Sequence, residues 1–397
     1  MAILLLNRFA RDKIDYAEWL TGLEEEVYMF AERSVVDDFP EFPVRQPFDV
    51  LMRDGRVELE AVKLHRERPF RRIIALEESE IIRAGRLRDR LGLAGQGYAS
   101  ALAFRDKAVM KETAMRGGIP VAAHRKLESA LDLYDFAEAH GYPIVVKPLR
   151  GMSSSYTRVL RSEDELKEWV KTGAAAGMLA ESFVAGDMYQ IDGVVLDGAV
   201  QFACASAYVN TCLAYTDQQG VGNVLLEPGH PLYERLIHFA NELLRVMPKL
   251  DAATFHAEVF HTPDDRIVLC EVASRTTGGR VNELIERAYG LHLDRYITRA
   301  QCGLIDPLPD PQGAETLYGS YFIPPKHGKL VSMPAAVPFD WCVEASTEGE
   351  IGKIYAGPTR STESYMTVIV SGQTAAEVTA RLTQAIQYVE ANTVWEA

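Results

Sequence analysis

Two glutamates stand at equal distances from the junction of Asp264 and Asp265. Glu258 and Glu271 flank Thr262-Pro263-Asp264-Asp265, with strand-forming stretches at 255–261 and 266–274 on either side. In a regular hairpin the two carboxylates would oppose each other at about 5 Å. Like charges at that spacing repel unless something neutralises them. A divalent cation would do so, and carboxylate oxygens suit magnesium, with manganese a second choice. Strand alternation puts Leu269, Ala273 and Arg275 on the face of Glu271. An acid pair beside an arginine can hold a triphosphate. The same residues can also be read as an exposed charged hairpin, its glutamates neutralised by Arg275 or Arg266.

Two lysines sit in phosphate-friendly settings. Lys147 follows Ile144-Val145-Val146, an apolar strand on which an unpaired ammonium would be costly. Gly151-Met152-Ser153-Ser154-Ser155 comes next and offers backbone N–H and hydroxyl donors, as phosphate-cradling loops do. A lysine at a strand end can equally reach out to water. Lys107 opens a helix after Arg105-Asp106. No Walker A sequence is present.

The elements that must position these groups follow from punctuation and periodicity. Residues 3–6 and 73–76 read as buried strands and 78–91 as a helix, which makes a small doubly wound α/β layer. Gly92-Leu93-Ala94-Gly95-Gln96-Gly97 follows a helix rather than a strand, so it is a linker turn and not a dinucleotide fingerprint. The helix from Lys107 closes at Gly117-Gly118. Ser129 caps a helix over 130–140, ended by Gly141. Ser162 and Glu165 form a capping box. Residues 178–184 are a strand, and Asp197-Gly198 turns a hairpin between 194–196 and 199–202. A helix over 374–391 ends the chain. Loops at 205–222 and 276–282 would carry substrate specificity. Tyr208, Asn210, Tyr215 and Arg280 read there as loop surface.

The 397 residues suit two or three packed domains. A formal net charge of -14 argues against a nucleic-acid partner. The apolar start is too short for a signal peptide or membrane span, and a cytoplasmic protein is expected. Cys204, Cys212, Cys270, Cys302 and Cys342 form no C-x-x-C pair and read as reduced thiols.

Taken in order, Arg105-Asp106-Lys107, Tyr142-Pro143-Ile144-Val145-Val146-Lys147-Pro148, the Gly/Ser loop, Glu181-Ser182-Phe183-Val184-Ala185-Gly186, His256-Ala257-Glu258 and Glu271-x-x-x-Arg275 resemble the ATP-grasp superfamily. The nearest likeness is to amino-acid ligases that make dipeptides. The resemblance spans 77–303 and rests on motif order and spacing. It implies an α/β chain with an α+β lid. An N-terminal domain would cover 1–104 and an ATP-grasp region 105–305, with the lid at 120–187 and the metal and phosphate site at 250–282. A closing subdomain with an antiparallel sheet would cover 306–397.

The resemblance also implies roles. Lys107 and Lys147 would contact ATP phosphates, and Ser153, Ser154 and Ser155 would close over them. Glu181 would accept from the adenine amino group, with the Phe183 and Val184 backbone at the ring edge. Glu258 and Glu271 would hold magnesium, and Arg275 would act on the transferring phosphoryl group. Gly278-Gly279 would let the backbone approach substrate. Three positions depart from the family pattern. Serines replace loop glycines, Met188 replaces the ribose-binding glutamate with Asp187 beside it, and Ala273 replaces an asparagine. The implied function is an ADP-forming ligase that activates a carboxylate as an acyl phosphate and passes it to an amine. Transfer to a thiol or carrier protein, and nucleotide binding without turnover, are the alternatives. Partners would be small molecules and at most a second copy of the chain in a homodimer.

Overall fold

The computed structural model describes residues 2–396 apart from 153, 174 and 212, and at 215 and 216 the backbone alone. Strands β1 (Ala2–Asn7), β2 (Val27–Glu32), β3 (Val44–Phe48) and β4 (Phe70–Ala75) form a parallel sheet in the order β3-β2-β1-β4. The run Ile3-Leu4-Leu5-Leu6 is apolar throughout because both faces are covered. Ile3 and Leu5 pack with Met29, Trp19 and Phe39, while Leu4 and Leu6 pack with Phe30, Val57 and Leu87 on the other side.

A second, antiparallel sheet contains β5 (His124–Leu127), β6 (Ile144–Pro148), β7 (Arg158–Leu160) and β8 (Met178–Ser182), ordered β5-β8-β6-β7. Helices Ala130–His140 and Glu163–Val170 back it, and Leu133, Phe136, Ile144, Val146 and Leu166 make its own small core. Ser129 and Asp132 form a capping box, and Ser162 accepts from the Glu165 N–H. Both helices lie where the sequence places them.

The remaining strands are β9 (Asp187–Leu196), β10 (Ala199–Val209), β11 (Gly222–Leu225), β12 (Ala252–His261), β13 (Ile267–Ala273), β14 (Leu317–Ile323), β15 (His327–Ser332), β16 (Cys342–Thr347), β17 (Ile354–Ala356), β18 (Met366–Gly372) and β19 (Val394–Glu396). Eight of them make one sheet, β13-β12-β9-β10-β11-β14-β18-β16, and β17-β15-β19 make a small one. Strands from both sides of residue 305 therefore share a single sheet, joined where β11 pairs with β14. Helices Tyr233–Val246 and Ala375–Ala391 supply Leu236, Leu243, Val378 and Leu382 to the core that unites it. Asp197 and Gly198, both at positive φ, turn the β9–β10 hairpin as expected. Helix Ile81–Leu91 ends at Gly92 in the left-handed conformation, which confirms a C-cap rather than a dinucleotide loop. Among the described residues no helix is long and apolar enough to cross a membrane.

Candidate active site

The β12–β13 hairpin brings Glu258 directly opposite Glu271, but not by being regular. Nearest the turn, Val259 faces Leu269, Phe260 faces Val268 and His261 faces Ile267. Continued without interruption, that register would pair Glu258 with Cys270 and send Glu271 to the other face. A bulge between Glu258 and Val259 inserts one residue and rotates Glu271 onto the acid face. The same bulge takes Leu269 off the face of Glu271 and pairs it with Val259 in the apolar core, a correction to the uniform alternation.

Helix Lys107–Arg116 is capped by Asp106, whose Oδ1 accepts from the Ala108 and Val109 N–H groups at 3.2 and 3.4 Å. Its first turn aims Lys107 at the hairpin. Lys107 Nζ lies 3.0 Å from Glu271 Oε2 and 3.3 Å from the Gly151 carbonyl oxygen. One turn on, Lys111 is fully buried. Its Nζ reaches Glu181 Oε1 at 2.8 Å and donates to the Leu269 carbonyl at 3.1 Å. Lys147, on β6, meets the other oxygen of the same carboxylate at 2.6 Å.

Glu181 thus sits between two lysines, one at each carboxylate oxygen, while lining the cavity. Burial alone would raise its pKa, but Lys111 and Lys147 outweigh that and hold it down at about 2. Burial likewise works against the charge on Lys147, and Glu181 more than restores it. Burial would also raise the pKa of Glu271, and Lys107 and Lys147 hold it well below the usual carboxylate range.

On the far side of the acid pair, Tyr208 donates to Glu258 Oε1 at 2.5 Å. His256 Nε2 lies 3.4 Å from the same oxygen, and its Nδ1 lies 2.9 Å from Asp192 Oδ1. Burial disfavours the imidazolium, yet Asp192 and Glu258 push the His256 pKa up to about 10. Arg275 is gripped by Glu78, at 2.7 Å through Nε and 2.5 Å through Nη2, and donates to the Thr276 carbonyl. Arg105 reaches the same Glu78 carboxylate at 3.3 Å, which ties the N-terminal domain to the site.

These groups line one cavity of about 600 Å³ between the lid sheet and the large sheet. Lys107, Lys147, Glu181, Glu258, Glu271 and Arg275 all face it. Ser154 and Ser155 line it from the loop, with Ser154 at positive φ, while Ser153 lies outside the described residues. Phe183 and Val184 line it as well. Asp187 is exposed and does not line it, whereas Met188 does, so the expected ribose carboxylate is misplaced. Ala273 pairs with His256 on the face that carries Glu258 and Glu271, as the alternation predicts, but it is buried and is not part of the cavity wall.

Sequence reasoning missed Lys111, although its spacing of four from Lys107 put both on one helix face. It also took Tyr208 for loop surface. Tyr208 is on β10, and its hydroxyl meets Glu258. Arg280 is held by Glu283 and Glu344, and Asn210 turns the chain at positive φ, so these two do fit a structural role. The side chain of Tyr215 and the whole of Cys212 lie outside the described residues. The other four cysteines are unpaired thiols.

Triphosphate and metal fit the donor set. The cavity is large enough for a nucleotide and a small substrate. Three buried ammonium groups face anions on its wall. Among the described residues no group of three or more His, Cys, Asp or Glu side chains is arranged to hold a metal ion by itself. A cation between Glu258 and Glu271 would therefore complete its shell from phosphate and water, as magnesium does.

Residues 106–190 match the family described as the carbamoyl-phosphate synthase L chain, ATP binding domain. The chain is 27% identical over 233 residues to an L-arginine-specific L-amino acid ligase of Bacillus subtilis, covering 57% of this chain and 56% of that protein. The chain thus spans about half the length of that curated relative. In three dimensions it is similar to an L-amino acid ligase from Bacillus licheniformis, with TM-score 0.77, 16% identity, and coverage of 100% of this chain and 99% of that one. It is also similar to a carboxyaminoimidazole ribonucleotide synthase from Aspergillus clavatus complexed with ATP, with TM-score 0.70, 16% identity and 98% of each chain covered. The two facing sheets with the cavity between them, the matched ATP-binding segment and these full-length structural likenesses give this chain the fold of the ATP-grasp ligases.

Proposed function

We propose that the protein is an ADP-forming ligase that activates a small carboxylate, an amino acid, as its acyl phosphate and joins it to an amine. One observation carries the reading: the bulge that rotates Glu271 onto Glu258 places the acid pair in the same cavity as Lys107, Lys147 and Arg275. The relatives with similar sequences or folds include amino-acid ligases, which supports an amine as nucleophile.

In this reading, Lys107 and Lys147 draw charge from the β- and γ-phosphates. Arg275, oriented by Glu78, faces the carboxylate as it attacks the γ-phosphorus. Magnesium or manganese held by Glu258 and Glu271 supplies further charge neutralisation. The loop carrying Ser153, Ser154 and Ser155 covers the phosphates, and Phe183 and Val184 meet the base. The lid sheet keeps water from the acyl phosphate until the amine attacks its carbonyl carbon and phosphate leaves. The units proposed for this work are 1–104, 105–305 and 306–397, with a lid at 120–187. The setting proposed is the cytoplasm, as a monomer or homodimer.

The test is nucleotide analysis during turnover on pairs of amino acids. ADP and phosphate in step with one new amide bond are expected. AMP and pyrophosphate as the main products would exclude attack at the γ-phosphorus.

A further inference from the structure

Four buried polar atoms on the large sheet have no hydrogen-bond partner among the described residues: Gln190 Nε2, Ser206 Oγ, Asn223 Nδ2 and Ser320 Oγ. They are neighbours. Gln190 opposes Ser206, Tyr208 opposes Asn223, and Asn223 opposes Ser320, across β9, β10, β11 and β14. Ser206 and Tyr208 are two apart on β10, so strand alternation places the whole row on one face. It is also the face of the acid pair, since Glu258 opposes Gln190 from β12.

Gln190 and Asn223 are 1% and 7% exposed and both line the cavity. Buried amide donors rarely go unanswered, because each gave up water on folding. The row runs away from the phosphate-binding lysines toward Phe322 and Gly278, where a Cβ on Gly278 would meet nothing within 4 Å. Space and unanswered donors therefore coincide at the end of the cavity that a nucleotide seated at Phe183, Lys147 and Glu271 leaves open.

We propose that this row is the side-chain subsite for the amino acid whose carboxylate is activated, and that it selects a neutral side chain bearing an acceptor oxygen, a hydroxyl or a carboxamide. The proposal rests on the ligase reading above. The missing partners of Gln190 and Asn223 are acceptors, so a cationic side chain would set donor against donor. A carboxylate side chain would lie near Glu258, with Asp217 also on the cavity wall, and would be repelled. An apolar side chain would leave the amides unanswered, which is the situation that lets a site reject an isostere strongly.

The experiment uses the full chain with ATP, magnesium and hydroxylamine. The nitrogen of hydroxylamine attacks the acyl carbonyl, phosphate leaves, and a hydroxamate forms, so the activated amino acid is read without a second one. Asparagine is compared with leucine, threonine with valine, and serine with 2-aminobutyrate. The polar member of each pair should have the higher kcat/KM, by about 100-fold or more for the best pair. Asn223→Leu should cut that ratio at least about tenfold, and Gln190→Leu should cut it independently. The wild-type comparison needs no variant. Equal or better use of the apolar isosteres overturns the subsite and leaves the ligase intact. Unchanged ratios in both folded variants also overturn it. If no amino acid yields ADP or hydroxamate, the ligase reading falls and the subsite with it.

Discussion

Replacing Lys111 by methionine removes one of the two ammonium groups that hold Glu181 inside the protein. The cost can be worked from the structure. Folding lowers the Glu181 pKa from 4.5 to about 2, and this shift is worth about 3 kcal/mol at 1.36 kcal/mol per unit. Lys147 remains at 2.6 Å, so about half of that survives. The Leu269 carbonyl also loses the Lys111 ammonium as a donor, at a further cost of about 1–3 kcal/mol. Together the loss is about 3 kcal/mol, the lower end for breaking a buried ion pair, because Glu181 is not left alone.

Guanidinium unfolding of wild type, Lys111→Met, Glu181→Gln and the double variant measures both the loss and the coupling. Acid titration adds a signature. Because the folded-state pKa of Glu181 is depressed, its contribution is fully present above pH 4.5 and disappears as pH falls toward about 2. Lys111→Met lifts that pKa, so the stability gap between variant and wild type should be constant near neutrality and narrow through the same window. A loss below about 0.5 kcal/mol, the range of ordinary surface changes, together with a gap indifferent to pH, would refute the Lys111–Glu181–Lys147 arrangement.

Three further outcomes follow from the site. Lys147→Ala should weaken a non-hydrolysable ATP analogue by about 2–4 kcal/mol in calorimetric titration, the scale for a desolvated charged contact, and unchanged affinity in a folded protein would remove Lys147 from the phosphate site. Glu271→Gln should raise the magnesium concentration for half-maximal activity at least about tenfold. Ala273→Asn should change that titration less than Glu271→Gln does, because Ala273 shares the acid face but is not on the cavity wall; the reverse order of effects would move the metal away from the acid pair. Glu78→Gln should lower kcat more than it raises KM for ATP, since Glu78 orients Arg275 and touches no expected nucleotide position; a pure KM effect in steady-state kinetics would contradict that.

Local patterns made much of this protein readable in its sequence. The helix start at Lys107, the caps at Ser129 and Ser162, the Asp197-Gly198 turn and the apolar run of β1 each depend on a few adjacent residues, and each is where the pattern put it. What failed to show was decided at a distance. β10 runs to Val209, although Ala203-Cys204-Ala205-Ser206-Ala207 carries no strong strand formers; pairing with β9 and β11 on either side extends it. That extension turns Tyr208 from apparent loop surface into a ligand of Glu258. Likewise β14 and β18 complete the large sheet from the far end of the chain, a pairing no local signal encodes.

The acid pair is the instructive case. Counting outward from the turn paired Glu258 with Glu271 on the assumption of a regular hairpin, yet the ladder next to the turn is one residue out of that register. The bulge restores the pairing. A site reached through a bulge is set by the chemistry that both strands must satisfy, since two glutamates on one face have no packing reason to meet. Lys107 and Tyr208, one from the helix Lys107–Arg116 and one from β10, each answer one of the two acids. Neither partner lies near the hairpin in sequence. The carboxylates were therefore legible as a pair, while the groups that make their pairing tolerable became visible only when the fold brought distant strands and the helix together.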